Sequence, residues 1–186
     1  MAKSTCTIFD EAGFGREPYI PYSWQDRGTV VKIPGRAGKR INVIGVYSLM
    51  AGNIRTEMFE RNINSDDVVA FLDKLSEKLE KPSVVMVDNA TIHTADKVMK
   101  KLPEWEEKGL YVYHLPTYSP ELNLIEIVWR MVKYKWLPLK AYSSFSSLWD
   151  NLKDVFCEIG RKHILYLAEQ LIIRVTTLLS AHTNVP

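Results

Sequence analysis

Long apolar runs, cysteines and an excess of charge of one sign are all scarce in this sequence of 186 residues. No apolar run approaches the roughly 18–20 residues of a membrane helix, and the N-terminus lacks the apolar core of a signal peptide. The two cysteines, Cys6 and Cys157, lie far apart without metal-type spacing. A reducing interior is the simplest interpretation, with a single disulfide left open. We therefore expect a cytoplasmic protein with no membrane partner.

The composition is typical of one globular domain. Hydrophobic residues make up 46% of the chain and charged residues 25%, which excludes a disordered protein, and the length is sufficient to bury a core. No linker rich in proline, glycine or serine divides the chain. We therefore expect a single domain over residues 1–186.

The net charge of +2 is too small by itself to indicate a nucleic-acid partner, but basic residues are concentrated in two segments without acids. These are Arg27, Lys32, Arg36, Lys39 and Arg40 in the first segment and Arg130, Lys133, Lys135 and Lys140 in the second. If the two segments meet in space, they form a basic face that suits a phosphate backbone. Two solvated stretches that never meet explain the pattern equally well.

Hydrophobic periodicity predicts strands first and then an alternation of helices and strands. Three β-rich segments, at residues 4–9, 29–33 and 41–50, are predicted to form an antiparallel meander. A fourth strand at residues 54–59 is only weakly indicated. Strands at residues 83–87 and 110–115 alternate with three helices. The first helix begins at Ser65 and ends before Pro82, the second covers residues 91–102, and the third covers residues 119–136. Two more helices lie within residues 144–179, with a break near Gly160. This order predicts an α/β fold, in which a mixed sheet carries parallel strands beside the meander and helices on both faces.

Two aspartates directly follow predicted strands, Asp10 after the first and Asp88 after the strand at residues 83–87. Ligands of open α/β sheets bind outside the carboxyl ends of strands, so these carboxylates converge if the two strands are neighbours. For either residue alone, a turn or a helix cap is the commoner explanation.

The predicted helix that starts near Ser119 offers a third carboxylate, from Glu121 or Glu126. Glu121 lies in the first turn, where the helix dipole alone explains an acid. Glu126 lies more than a turn further in, beside the apolar stripe, and its local explanation is an i, i+4 pair with Arg130. Glu126 is therefore the better functional candidate.

Three carboxylates gathered from different elements repel one another unless a cation joins them. Oxygen ligands without histidine or cysteine select hard ions such as Mg²⁺ or Mn²⁺. Two such ions, about 3.5–4 Å apart, activate a water or a 3′-hydroxyl in phosphodiester displacement. The acids therefore indicate metal-dependent phosphoryl transfer, beside a basic face that would hold nucleic acid.

Two strings of the sequence resemble the signature of mariner-superfamily DDE transposases, and most closely that of their bacterial insertion-sequence branch. They are Val-Asp-Asn-Ala-Thr-Ile-His at residues 87–93 and Leu-Pro-Thr-Tyr-Ser-Pro-Glu-Leu-Asn-Leu-Ile-Glu-Ile-Val-Trp at residues 115–129. Residues 9–14 and Gly45 resemble the same branch. The likeness covers most of residues 7–136.

The resemblance implies a ribonuclease-H-like fold and cut-and-paste DNA transposition, with strand cleavage and strand transfer at one site that holds two Mg²⁺ or Mn²⁺ ions. Matched to the family's motifs, the catalytic and metal-binding triad is Asp10, Asp88 and Glu126. Glu121 falls on a non-catalytic acid of the motif.

Further residues are expected to support the acids or to contact DNA. Asn89, His93 and Asn123 match positions that the family also keeps, and a helix-start hydrogen bond explains His93 equally well. For phosphate contacts we expect Arg36, Lys39, Arg40, Arg130 and Lys133. The expected partners are transposon ends and target DNA, together with a second copy in a homodimer, and the expected location is nucleoid-associated.

The chain departs from the family pattern in three places. The interval from Asp88 to Glu126 is a few residues longer than in the best-known members, a surplus that the polar connection at residues 103–109 can absorb. Leu124 stands where the motif usually has proline, a change that should leave a helix intact. No helix-turn-helix domain precedes Asp10, so we expect a catalytic domain alone, without sequence-specific DNA binding. The alternatives are another ribonuclease-H-like nuclease and a repurposed copy that binds DNA without cutting it.

Overall fold

A five-stranded mixed sheet forms the centre of the molecule, with the strand order β3-β2-β1-β4-β5. The computed structural model describes residues 5–18, 27–28, 38–117 and 119–165. The strands are β1 (Thr5–Phe14), β2 (Ile41–Ser48), β3 (Ile54–Phe59), β4 (Ser83–Val87) and β5 (Leu110–His114). β1, β2 and β3 form an antiparallel meander, and β4 and β5 run parallel to β1. The predicted mixed sheet is confirmed.

The meander differs from the prediction in its members. Its third strand is β3, which the sequence indicated only weakly, and the predicted strand at residues 29–33 lies outside the described residues. The prediction that the first strand stops before Asp10 was wrong. β1 continues to Phe14 because β2 pairs with it along this whole stretch, from Thr7 opposite Ser48 to Phe14 opposite Ile41.

Helices cover both faces of the sheet. They are α1 (Ser65–Ser76), α2 (Asp96–Met99), α3 (Leu102–Glu107), α4 (Ile125–Met131) and α5 (Phe145–Glu158). Successive strand residues point to opposite faces. Thus Ile8 packs in a core with residues of α4 and α5, whereas Phe9 packs in a second core with residues of α1, α2 and α3.

The first helix begins where the sequence predicts, at Ser65, but Asn64 is the residue that caps it. The Asn64 side chain accepts hydrogen bonds from the backbone N–H groups of Asp66 and Asp67, and the Asp67 carboxylate accepts one from the backbone of Asn64 in return. This reciprocal capping box satisfies N–H groups that the helix itself leaves unpaired.

The single helix predicted over residues 91–102 is wrong. Residues 91–93 form a turn, in which His93 N–H bonds Ala90 O at 2.9 Å, and two short helices, α2 and α3, follow. The Asp88 carboxylate accepts the Ala90 N–H at 2.9 Å. This local bond tightens the chain into a turn where a helix was expected.

The helix predicted over residues 119–136 is divided into three pieces. A 3₁₀ turn (Pro120–Leu122) precedes α4, and a π-helical turn (Val132–Trp136) follows it, with Leu137 N–H bonded to Val132 O at 3.0 Å. Asn123 interrupts the helix with a ψ of 70°. Glu126 therefore lies in the first turn of α4, and the argument that it sits deep in a helix was wrong.

The last described helix, α5, is capped by Ser144, whose side chain accepts the Ser147 N–H. It ends at the predicted break, where Gly160 has a φ of 89°. The predicted second helix of this region falls mostly outside the described residues. Among the helices of the described ranges, none is both long and apolar enough to cross a membrane.

Candidate active site

Asp10 and Asp88 are brought side by side by the parallel pairing of β1 with β4. The last pair in this register is Ile8 opposite Met86, and each aspartate lies two residues further along the chain. Asp10 lies within β1, and Asp88 directly follows β4. Both carboxylates therefore lie at the carboxyl ends of neighbouring parallel segments, where open α/β sheets bind ligands.

Asp10 lies on the face of the sheet that α4 covers, and it is only 9% exposed. Its Oδ2 accepts a hydrogen bond of 3.2 Å from the indole N–H of Trp129. Burial raises the pKa of Asp10 to about 7, and the nearby charges of Glu11 and Asp88 contribute in the same direction. The site thus holds a carboxylate whose negative charge is poorly compensated by the protein.

Asp88 is held from the opposite face by His93. Its Oδ1 lies 2.6 Å from His93 Nδ1, and His93 Nε2 lies 2.6 Å from Glu11 Oε1. Burial opposes a charge on His93, but the hydrogen bonds to Asp88 and Glu11 outweigh burial and raise its pKa to about 10. At neutral pH His93 is therefore an imidazolium that donates from both nitrogens. The hydrogen bond from His93 lowers the pKa of Asp88.

Glu126 lines two clefts of the site. It lines a cleft of about 460 Å³ together with Asp10, and a second cleft of about 250 Å³ together with Asp88. Its side chain is exposed, whereas Asp10 is buried. Glu121, in the preceding 3₁₀ turn, belongs to the lining of neither cleft. The geometry therefore favours Glu126 over Glu121 as a third acid.

The donor set suits a hard divalent cation. All three side chains offer only carboxylate oxygens, the ligands that Mg²⁺ and Mn²⁺ prefer, and the raised pKa of Asp10 reflects negative charge that a cation would offset. Within the described ranges, no three acidic, histidine or cysteine side chains are close enough together to hold a metal ion. Of the three acids, Glu126 is the most exposed, Asp88 is partly exposed and Asp10 is buried.

Two asparagines expected to support the site have different surroundings. Asn89 donates from Nδ2 to Leu115 O at 2.6 Å and so ties the segment after β4 to the segment after β5. Asn123 is 5% exposed and lines the cleft between Asp88 and Glu126. Its Oδ1 is buried and lacks a hydrogen-bond partner among the described residues.

The basic residues expected to bind DNA divide into those near the acids and those elsewhere. Arg130 and Lys133 line the cleft that contains Asp10. Arg40 lies near Lys133. Burial lowers the pKa of Lys133, and the charge of Arg40 lowers it further. Lys39 instead lies 4.0 Å from Glu60 on the surface. Arg36 lies outside the described residues.

The contacts of Glu11 and Trp129 were not predicted from the sequence. Each is part of a quoted motif, but neither was assigned a contact. Glu11 alternates with Asp10 along β1 and so reaches His93 on the other face. The available signal was this alternation, together with the position of Trp129 one helical turn after Glu126.

Solved structures of other proteins share the fold of this chain. A solved Mos1 transposase paired-end complex with the left transposon end aligns with a TM-score of 0.60 and 21% identity over 89% of this chain and 53% of that chain. The mariner Mos1 paired-end complex with Mg aligns with a TM-score of 0.65 and 18% identity, over 95% of this chain and 55% of that chain. The catalytic core domain of BIV integrase aligns with a TM-score of 0.55 and 11% identity, over 86% of each chain.

These likenesses establish the ribonuclease-H-like fold that transposases and integrases share, and the chain spans about half the length of the Mos1 chains. No curated protein sequence matches the chain significantly. The family of DDE superfamily endonucleases matches residues 5–149, which include both aspartates and Glu126. The chain therefore belongs to the DDE superfamily endonuclease family.

Proposed function

We propose that this chain is the catalytic domain of a mariner-superfamily DNA transposase of the bacterial insertion-sequence branch. Hydrolysis of a phosphodiester at the element ends frees a 3′-hydroxyl. That hydroxyl then attacks a phosphodiester of target DNA, which releases a new 3′-hydroxyl on the target strand. What supports the proposal is one observation: β1 and β4 are paired in parallel, Asp10 and Asp88 each come two residues after the last pair, and Glu126 lines a cleft with each of them.

In this proposal Asp10, Asp88 and Glu126 hold two Mg²⁺ or Mn²⁺ ions. When bound, the ions supply Lewis acidity at the scissile phosphate and assist nucleophile and leaving oxygen. The protein's own part is to hold the carboxylates. His93 clamps Asp88 through Oδ1. Because His93 is a buried cation, it also offsets the repulsion among acids that Asp10, Asp88 and Glu11 would otherwise exert.

DNA is the proposed partner, both as transposon ends and as target. Arg130 and Lys133 stand in the cleft with Asp10 and Glu126, where they would contact the phosphates that flank the scissile bond. Such contacts release counterions, so binding should weaken steeply with salt. Lys133→Ala should reduce the slope of log K for DNA binding against log salt concentration by about 1, as measured by fluorescence anisotropy. We further propose that two copies act together on paired ends, near the nucleoid.

A plasmid-nicking assay tests the proposal. Purified protein is incubated with supercoiled plasmid and Mn²⁺, and nicked circles are counted on a gel. Glu126→Gln should abolish nicking, whereas Glu121→Gln, the matched control five residues earlier, should retain most of it. Equal activity of wild type and Glu126→Gln would sink the mechanism, and the reverse pattern would assign the third acid to Glu121.

A non-catalytic copy that binds DNA is the alternative, and the exposed position of Glu126 favours it, since the three acids are not preassembled among the described residues. It predicts salt-dependent DNA binding without nicking, even on pre-paired oligonucleotide ends. Binding that is equally strong in Glu126→Gln and wild type, with no nicking by either, would support this alternative.

A further inference from the structure

Gly45 lies directly opposite Asp10 in the pairing of β1 with β2. The indole of Trp129 occupies the space that a side chain at this position would fill. A Cβ on Gly45 would come within 2.8 Å of Trp129 Cζ2 and closer still to Cη2. Contacts this short do not occur, so any larger residue would have to displace the indole.

Two phenylalanine rings also fix the position of the Trp129 indole. Trp129 is 4% exposed, and its ring meets the edges of Phe14 and Phe156 at centroid distances of 6.3 and 6.1 Å. With Gly45 beneath it, the ring has little freedom to tilt. Its N–H is directed at Oδ2 of Asp10, 3.2 Å away.

We infer that Trp129, seated on Gly45, is a positioning residue that orients the Asp10 carboxylate for metal binding. This inference rests on the proposed function, because it assumes that Asp10 is a ligand. A hydrogen bond from a rigid donor fixes the rotation of a carboxylate and the oxygen that it presents. Outer partners of this kind typically change metal affinity by about 10–100-fold when they are removed.

Pure packing is the competing explanation, and the chain offers matched variants that separate the two. Trp129→Phe keeps an aromatic ring but removes the N–H donor. Trp105→Phe is the control, since Trp105 is also fully buried and donates to a carboxylate, Asp73 Oδ1 at 2.7 Å, in the other core. Gly15→Ala is the steric control for Gly45→Ala, because the nearest atom to the added Cβ would be the backbone nitrogen of Glu17, at 3.9 Å.

The experiment measures Mn²⁺ binding by calorimetry and thermal unfolding for each variant. Gly45→Ala and Trp129→Phe should each weaken Mn²⁺ binding about tenfold, and both controls should stay within about twofold of wild type. The double variant Gly45→Ala with Trp129→Phe is decisive. Phenylalanine lacks the Cζ2 and Cη2 atoms of the clash, so the double variant should recover the thermal stability lost in Gly45→Ala but not the lost affinity.

The outcomes distinguish this inference from the proposed function. If wild type binds Mn²⁺ more tightly than Asp10→Asn but Trp129→Phe binds as wild type does, the positioning role is overturned and the metal site stands. Recovery of affinity together with stability in the double variant would also overturn it, in favour of packing. If wild type and Asp10→Asn bind Mn²⁺ equally, or neither binds, the proposed metal site fails and the inference fails with it.

Discussion

The replacement Asp10→Asn should make the metal-free protein more stable at neutral pH, although it removes a proposed catalytic group. Burial raises the pKa of Asp10 from 3.8 to about 7, with smaller contributions from Glu11 and Asp88. Asparagine has nearly the same shape and keeps an oxygen that can accept the Trp129 N–H. It removes the charge that the buried site disfavours.

The magnitude follows from the change in pKa. A tenfold change in an acid constant is worth about 1.4 kcal/mol, so ionised Asp10 destabilises the folded state by about 4 kcal/mol. The asparagine amide is costly to bury as well, which reduces the expected gain to about 2 kcal/mol. For a domain of this size, that gain raises Tm by about 4–8 °C.

The gain should depend on pH in a defined direction. Below pH 3.8 Asp10 is protonated in the folded and the unfolded chain, so its charge contributes nothing. Between this pH and about 7, only the unfolded chain releases the proton, and wild-type stability falls as pH rises. Above pH 7 both states are ionised and the loss is constant. The stabilising effect of Asp10→Asn should therefore be small near pH 4 and reach its full size near pH 8.

Differential scanning fluorimetry in EDTA at pH 4, 6 and 8 measures this effect. Asp154→Asn is the control, because Asp154 is exposed on α5, and its Tm should match that of wild type at every pH. A Tm of Asp10→Asn equal to wild type at pH 8 would refute the burial argument. A gain of the same size at pH 4 and pH 8 would show that packing, and not the charge, is responsible.

Three further replacements have predicted signs, each measured by urea denaturation at pH 7. Asp88→Asn should lower the free energy of unfolding, opposite in sign to Asp10→Asn, because the His93 imidazolium loses a charged acceptor. The expected loss is about 1–2 kcal/mol, since the Asp88 side chain is partly exposed, and no change would mean that His93 is uncharged. Trp105→Phe should cost about 1–3 kcal/mol, since it removes the hydrogen bond that the buried indole N–H donates to the Asp73 carboxylate, and a neutral result would contradict that bond. Asn64→Ala should cost about 1 kcal/mol through the lost helix cap, and a neutral result would place the cap elsewhere.

Local structure was predictable from the sequence where neighbouring residues decide it. The start of α1 was set by its capping group and acids, and the strand β4 by an apolar run that stops at a polar residue, Asp88. Candidate acids were also predictable, because residues 9–14 and the motif strings at residues 87–93 and 115–129 contain them. These features depend on interactions over a few residues, which the order of side chains alone specifies.

The errors of the sequence analysis arose where a distant partner decides the outcome. β1 extends past Asp10 because β2 pairs with it, and β3 enters the meander by pairing with β2, although its own pattern is weak. The helix predicted over residues 119–136 breaks at Asn123, where the chain turns to place Leu124 and Ile125 in the core. Propensity over a short window contains no information about such partners.

The sequence by itself determined which acids this protein has and that Asp10 and Asp88 follow apolar, strand-forming residues. The extension of β1 past Asp10, which sends Asp10 and Glu11 to opposite faces, came from pairing with β2. Only the tertiary structure decided what lies on those sides. His93 reaches Glu11 across 82 positions of sequence, and Trp129 reaches Asp10 across 119. These contacts exist because helices pack on opposite faces of one sheet, and packing depends on the whole chain at once.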